Sequence, residues 1–119
     1  MGTGKSGLFH GTRGEKVSSY YASIIQSLPK CPDDLVIHGW IETSVEKAVN
    51  AGHRTFSDSV SGLTVRFDKA KPGKPGNRGK DHYHVENPNR TGQDDWYLDK
   101  DGNPVPDGSG PSHIFPKDN

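Results

Sequence analysis

The first quarter of the chain places its apolar residues at helical spacing. Between residues 15 and 28 an apolar side chain recurs every three or four positions, so these side chains share one face of a helix. They are Val17, Tyr20, Tyr21, Ile24, Ile25 and Leu28. Pro29 and Pro32 follow, and proline disfavours helical backbone in the residue before it. The pattern predicts a helix over 15–28 that ends at the prolines.

Two shorter helical segments come next. Residues 32–37 predict a helical turn, and Trp40 is interpreted as a core residue. The segment Thr43–Glu46 has the spacing of a capping box, in which a hydroxyl and a carboxylate three residues later bind free backbone amides. With Gly52 as a stop, this spacing predicts a helix over about 44–51.

Beyond this helix the apolar residues alternate with polar ones, which is typical of strands. Short β-type runs, separated by Gly, Pro, Asn and Asp clusters, cover residues 55–57, 63–67, 82–86, 96–98 and 113–115. Asp101-Gly102 predicts a hairpin turn between Leu98 and Val105. Helices first and strands afterwards predict an α+β fold, with N-terminal helices packed on one face of a small antiparallel β-sheet.

The length of 119 residues fits one domain, because two domains would leave neither half enough core. We assign residues 13–119 to it, and residues 1–12, which are Gly-rich and lack periodicity, to a flexible tail or linker remnant. A hydrophobic content of 29% predicts a loop-rich fold with a modest core. The single Cys31 excludes an internal disulfide, and no apolar run approaches the roughly 20 residues of a membrane span.

Charge is segregated along the chain, although the net charge is zero. Residues 65–80 carry six bases and one acid, whereas residues 81–119 carry eight acids and three bases. A basic block can hold a phosphate chain, because Lys and Arg displace the counterions of nucleic acid. A solvated basic loop is the alternative interpretation of the same block.

The strand after the basic block carries the candidate chemistry. Successive side chains of a strand point to opposite faces, so the even-numbered residues of 80–86 share one face. That face includes His82 and His84, whereas Tyr83 and Val85 suit the core side. The alternation predicts a row of ionisable groups that faces solvent or a cleft.

Histidines in this setting predict acid–base chemistry on RNA, because unperturbed imidazole titrates near pH ~6.5. RNA cleavage requires a base for the 2′-hydroxyl proton, an acid for the leaving 5′-oxygen and cations for the charged phosphorane. His113, in a third β-like run, is the candidate for the opposite member of the acid–base pair. This chemistry needs no metal, and we expect no cofactor.

Two alternatives stay open. His82 and His84 with His113 or Glu86 offer three zinc ligands and an open position, which is the pattern of a metal-dependent nuclease. A non-catalytic module whose basic loop holds an acidic partner is the other alternative. The remaining histidines lie in loop-like or helix-end positions and are interpreted as non-catalytic: His10, His38 and His53. Cys31 has no evident general base and is interpreted as a bystander thiol.

Two sets of motifs resemble known families. Leu28-Pro29, then Gly39-Trp40, then the Pro-Gly-Lys-Pro-Gly-Asn-Arg-Gly-Lys loop of residues 72–80 resemble, in order, landmarks of barnase-like ribonucleases. Separately, the stretch from Gly79 to Ile114 resembles C-terminal toxin domains of bacterial polymorphic and contact-dependent growth inhibition (CDI) systems. Its motifs are Gly-Lys-Asp-His-Tyr-His at 79–84, Asn-Pro-Asn at 87–89, Tyr-Leu-Asp-Lys-Asp-Gly-Asn-Pro-Val at 97–105 and Ser-His-Ile at 112–114.

The resemblance implies a fold of the barnase/EndoU/colicin/RelE (BECR) group. It also implies an antibacterial toxin that is exported as the C-terminal part of a larger effector and acts in the cytoplasm of the target bacterium. A cognate immunity protein is the implied partner. The implied substrate is RNA, which we expect to be tRNA or rRNA cleaved through a 2′,3′-cyclic phosphate.

The resemblance further suggests roles for single residues. With the basic loops aligned, the general base of barnase-like enzymes falls on His84, their phosphate-binding arginine on Lys80, and their late histidine acid near His113. Those enzymes have glutamate at the position of His84, so His82 remains an alternative candidate for the general base. Their arginine pair has no clear counterpart beyond Arg90. The candidate phosphate-binding residues are Lys74, Arg78, Lys80 and Arg90.

Overall fold

The computed structural model describes residues 13–116, with side chains from residue 18 onwards. The predicted tail over 1–12 lies outside the described residues. The helices are α1 (Arg13–Ile25), α2 (Asp33–Ile37) and α3 (Glu46–Asn50). α1 ends earlier than predicted, because the chain already turns at 26–27 ahead of Pro29. Within the described range, no helix is long and apolar enough to cross a membrane.

Strands follow one another in a six-stranded antiparallel sheet whose order is that of the chain. They are β1 (Ile41–Glu42), β2 (His53–Ser57), β3 (Thr64–Asp68), β4 (His82–Glu86), β5 (Tyr97–Leu98) and β6 (Pro104–Val105). The predicted hairpin joins β5 to β6, where Gly102 has a positive φ of 79°. A side chain at Gly102 would also collide with the Ser18 carbonyl of α1. The chain is thus a small α+β domain, as predicted.

One face of the sheet packs against the helical part of the chain. The buried residues from that part are Ile25, Leu28, Leu35 and Trp40. Their partners on and beside the sheet are Phe56, Leu63, Val65, Phe67, Tyr83, Val85 and Leu98. In β3 and β4 these are alternate residues, with Val65 opposite Val85 and Phe67 opposite Tyr83. The predicted core positions of Trp40, Tyr83 and Val85 are confirmed.

The predicted capping box is wrong. Val45 is the N-cap residue of α3, and no side chain caps this helix. The neighbouring Ser44 hydroxyl is used elsewhere, because it donates to Glu42 (2.8 Å) and accepts the N–H of Thr55 (2.8 Å). It therefore links β1 to β2 instead of starting the helix.

Strand ends also differ from the prediction near the ionisable residues. β2 begins two residues earlier than predicted, at His53, and β3 extends by one residue to Asp68. The predicted strand at 113–115 is reduced to a single bridge between Ile114 and Tyr83. A 3-10 helix (Gly110–Ser112) precedes this bridge. Pro116 follows it and has no backbone N–H with which to continue the pairing.

Candidate active site in a basic cleft

Strand register gathers ionisable side chains on the sheet face opposite the helices. Between β3 and β4, Arg66 lies opposite His84, and Asp68 lies opposite His82. On the other side of β3, His53 lies opposite Asp68. Directly opposed residues of antiparallel strands point to the same face. Five ionisable side chains from three strands therefore converge on one place.

The bridge at Ile114 adds His113 to this group. The His113 ring centroid lies 4.8 Å from that of His82 and 4.6 Å from that of His84. Its Nδ1 lies 3.1 Å from the Ser109 carbonyl and 3.2 Å from the Gly110 carbonyl. A ring nitrogen between carbonyl oxygens acts as the N–H donor, so the Nε2 lone pair of His113 is left for other partners.

Asp68 is the centre of the cluster. Its carboxylate accepts two hydrogen bonds of 2.8 Å from the Arg66 guanidinium and lies 2.7 Å from His53 Nδ1. The Nε2 atoms of His82 and His84 lie 3.3 and 3.5 Å from Asp68 Oδ2. Burial by itself raises the pKa of Asp68, but these neighbours, the two β4 histidines foremost, lower that pKa far below its usual range. Asp68 is therefore ionised throughout the neutral range.

The two β4 histidines, each only 5% exposed, differ in basicity. For His82, burial disfavours the charged form, but Asp68 and the Lys80 carbonyl, 2.9 Å from Nδ1, outweigh it and raise the pKa. For His84, burial outweighs the contact with Asp68 and lowers the pKa. Among the described atoms, His84 Nδ1 is buried and has no hydrogen-bond partner. Near neutral pH, His82 therefore holds a proton more readily than His84.

A cleft of about 420 Å³ opens over these side chains. Its floor is formed by Asp68 and the four histidines of the cluster, His53, His82, His84 and His113. Its cationic lining consists of Arg66, Lys69, Lys71 and Arg78. The backbone N–H of Lys71 donates to the Arg78 carbonyl at 2.8 Å, which closes the basic loop between these two cleft-lining residues. The cleft thus combines imidazole groups of different basicity with cations that suit a phosphate.

The predicted catalytic residues meet in this cleft, but the predicted phosphate-binding residues are divided. Arg78 lines the cleft, whereas Lys74, Lys80 and Arg90 do not. Lys80 is exposed, with its Nζ 5.8 Å from the centroid of the Phe115 ring. The Lys80 backbone is extended, but the pairing between β3 and β4 begins only at His82. The strand alternation of side chains therefore does not fix the direction of the Lys80 side chain. Lys74 is exposed in the loop.

Arg90 lies in the connection between β4 and β5. Its guanidinium carbon is 4.5 Å from the centroid of the Trp96 ring. The Arg90 Nη1 atom is 3.4 Å from Oε1 of Glu86, which precedes Arg90 by four positions in the chain. Arg90 therefore packs within this connection and does not line the cleft.

Sequence reasoning missed several residues of the site. The sequence predicts His53 to be a non-catalytic loop histidine, yet it lies on β2 and contacts Asp68. Asp68, Arg66, Lys69 and Lys71 were not singled out. One signal was available, because Arg66 and Asp68 alternate with two buried apolar residues and therefore share the polar face of their strand.

The three catalytic candidates also form a possible metal site. One ligand nitrogen from each of His82, His84 and His113 lies within 4.8 Å of the other two. Three histidines with an open fourth position are a ligand set that zinc accepts. The Asp68 carboxylate contacts the Nε2 atoms of His82 and His84. Histidines that bind a metal commonly have such a carboxylate as a hydrogen-bond partner.

Comparison of the chain with protein-family models, with curated proteins and with solved structures found no match. The function of the chain is therefore inferred from the geometry of the cleft and from the motifs of the sequence.

Proposed function

We propose that this domain is a ribonuclease that cleaves RNA without a metal, by general acid–base catalysis through a 2′,3′-cyclic phosphate. The observation that carries the proposal is the pair His82 and His84. Both contact Asp68, yet the pKa of one is raised and that of the other is lowered. Neighbouring titratable groups whose environments separate their pKa values are typical of acid–base catalysis.

The roles follow from these protonation states. His84 is the neutral imidazole near pH 7 and is assigned as the base that accepts the 2′-hydroxyl proton. This role requires the Nδ1–H tautomer, because Nδ1 is buried and only Nε2 can accept a proton from substrate. The raised pKa of His82 favours its protonated form, so His82 is a candidate acid for the leaving 5′-oxygen. His113 is the second acid candidate: with Nδ1–H engaged by carbonyl oxygens, its protonated form presents Nε2–H to the leaving 5′-oxygen. It is also more exposed than either β4 histidine.

The cations of the cleft are assigned to the phosphate. Two hydrogen bonds to Asp68 orient the Arg66 guanidinium, so it is positioned before substrate binds. Lys69, Lys71 and Arg78 border the same cleft and come from the basic block of the sequence. Together they supply the charge that a phosphorane requires, which Lys74, Lys80 and Arg90 were expected to provide.

The biological setting belongs to the same proposal. The motifs between residues 79 and 114 support a toxin of the CDI or polymorphic type, delivered on a larger effector into the cytoplasm of a target bacterium. Helices followed by an antiparallel sheet agree with a barnase-like (BECR) architecture. The partners we propose are tRNA or rRNA as substrate and an acidic immunity protein that covers the basic cleft.

Cleavage of total RNA in EDTA tests this proposal. The wild type should cut, and His84→Ala should lose about 10²–10⁴-fold in rate, the usual contribution of one acid–base group. His38→Ala is the matched control, because His38 is exposed beyond the end of α2 and outside the cleft. Circular dichroism checks that both variants fold. Full activity of His84→Ala would remove the base assignment.

A metal-dependent nuclease is the second candidate, because His82, His84 and His113 bring three ligand nitrogens together. Calorimetric titration with zinc distinguishes the two functions. Tight zinc binding that His113→Ala abolishes, together with activity that EDTA removes and zinc restores, would favour the metal-dependent enzyme. Activity that EDTA leaves unchanged favours the metal-independent one.

A further inference from the structure

A second pocket, of about 340 Å³, opens beside the cleft. His113 borders both spaces, so they meet at a catalytic candidate. The rest of the second pocket is formed by Asp99, Lys100, Asp101, Pro111, Ile114 and Phe115. A ligand held by its phosphate in the cleft can therefore extend past His113 into a space of different chemistry.

Phe115 gives this pocket an exposed aromatic wall. The Phe115 side chain is 46% exposed, although its neighbour Ile114 is buried in the core. The ring is nevertheless held close to the cleft, with its centroid 6.2 Å from that of His82. Lys80 Nζ lies 5.8 Å from the same ring and does not border the pocket. An exposed aromatic ring beside cations is the combination that binds unpaired nucleotides, because every base has a face that can stack.

The other end of the pocket is acidic. Asp99 Oδ1 accepts the backbone N–H groups of Asp101 and Asn103, both at 2.9 Å, so Asp99 shapes the turn. The Asp101 carboxylate is exposed, and among the described residues its ion-pair contact is a long one, of 3.8 Å with Lys100. A carboxylate accepts hydrogen bonds and cannot donate them when ionised. Such a group suits a base that carries an exocyclic amino group and disfavours uracil, which has none.

From these observations we propose that the second pocket binds a nucleobase adjacent to the cleaved phosphodiester. Phe115 stacks on this base, and Asp101 selects for an exocyclic amino group. The inference rests on the proposed ribonuclease function, because it places the scissile phosphate among the cations of the cleft. Phe115 is then a specificity-determining residue that takes no part in proton transfer.

Calorimetric titration with cytidine 3′-monophosphate, uridine 3′-monophosphate and inorganic phosphate tests the pocket without requiring catalysis. The wild type should bind the cytidine nucleotide about tenfold more tightly than phosphate, the effect of one base–aromatic stack. Phe115→Leu should lose this advantage and bind phosphate unchanged, whereas Phe115→Tyr should keep it. Tyr20→Leu is the matched control, because Tyr20 is exposed to the same extent (47%) on α1. Asp101→Asn should remove the preference for cytidine over uridine.

The outcomes separate this inference from the proposed function. If Phe115→Leu binds the cytidine nucleotide as tightly as the wild type while RNA is still cleaved, the base pocket is wrong and the ribonuclease stands. If the wild type cleaves no RNA but the nucleotide affinities follow the expected order, the pocket stands and the catalytic proposal fails. Equal affinity of the wild type for nucleotide and phosphate would also overturn the pocket.

Discussion

The two faces of β3 and β4 are both buried, yet they differ completely in chemistry. On the helix side, Val65, Tyr83 and Val85 are fully enclosed among apolar side chains. On the cleft side, His82 and His84 are almost as deeply buried, at 5% exposure each, among charged groups. Neighbours in the chain therefore occupy opposite environments at similar depth. Burial alone does not distinguish a core residue from a catalytic candidate.

The energetic consequence of burial differs between the faces. Apolar side chains gain about 25 cal/mol for each Å² removed from water, so the helix side stabilises the fold. Ionisable groups lose hydration when they are buried and remain charged only where partners compensate. On the cleft side that partner is Asp68, which contacts Arg66 and three histidines. The helix face thus provides stability, and the cleft face separates the pKa values that acid–base chemistry needs.

Asp68→Asn should have the largest effect on this contrast, because it removes the negative charge that stabilises the Arg66 side chain and the buried histidine side chains of the cleft face. We expect the free energy of unfolding at pH 7 to fall by about 3 kcal/mol, the lower end for breaking a buried ion pair, since Arg66 is partly exposed. The native pKa of Asp68 lies far below its unfolded value, so its stabilisation is complete above pH ~3.9 and declines progressively as pH falls from there towards the native pKa. Urea denaturation at pH 7 and pH 3 measures both.

The control for this variant is Asp94→Asn, at an exposed carboxylate in the 3-10 helix Gln93–Asp95. It should change stability by no more than about 0.5 kcal/mol. A loss for Asp68→Asn that is equally small at pH 7, or that does not shrink at pH 3, would mean that the cleft face needs no central carboxylate.

The sequence predicts which side chains of a single strand lie on each face, but it does not predict which side chains of neighbouring strands meet. Alternation in residues 82–86 correctly put Tyr83 in the core and His82 with His84 on the other face. It could not identify Asp68 as their partner, because the register between β3 and β4 depends on the whole sheet and on the 13 residues that separate the strands. His53 was missed for the same reason, since its role requires that β2 pair beside β3.

The basic loop sets a second limit on what sequence can predict. Its charge indicated a phosphate site, and Arg78 does line the cleft. Lys69 and Lys71 line it too, whereas Lys74 and Lys80 do not. Outside regular structure the direction of a side chain has no period, so a run of bases indicates that cations are near without showing which of them face the site.

The pH profile of cleavage should show the separated pKa values directly. The pKa of His84 is lowered, so the base becomes protonated and activity falls only below pH ~6.5. The pKa of His82 is raised, so this acid loses its proton and activity falls only above pH ~6.5. A bell-shaped dependence of kcat/KM follows, with about a tenfold loss for each pH unit beyond either limb.

Variants assign the two limbs of that profile. His82→Gln should flatten the alkaline limb and keep the acid one, and His38→Gln should leave the whole bell unchanged, because His38 lies outside the cleft. An alkaline limb that persists in His82→Gln would transfer the role of acid to His113. A profile that is flat between pH 5 and pH 9 in the wild type would contradict acid–base catalysis by these histidines.

Tyr83→Phe should have the smallest effect and tests whether the two faces are independent. Tyr83 lies between the two β4 histidines in sequence, but its ring packs on the helix side, and its hydroxyl donates to the Pro29 carbonyl at 2.7 Å. Removing the hydroxyl should cost about 1 kcal/mol of unfolding free energy and leave kcat/KM unchanged, because only the link to the helical part is lost. Tyr20→Phe, at an exposed site, should change neither quantity. A tenfold loss of cleavage in Tyr83→Phe at unchanged stability would show that the helix face also sets the geometry of the histidines.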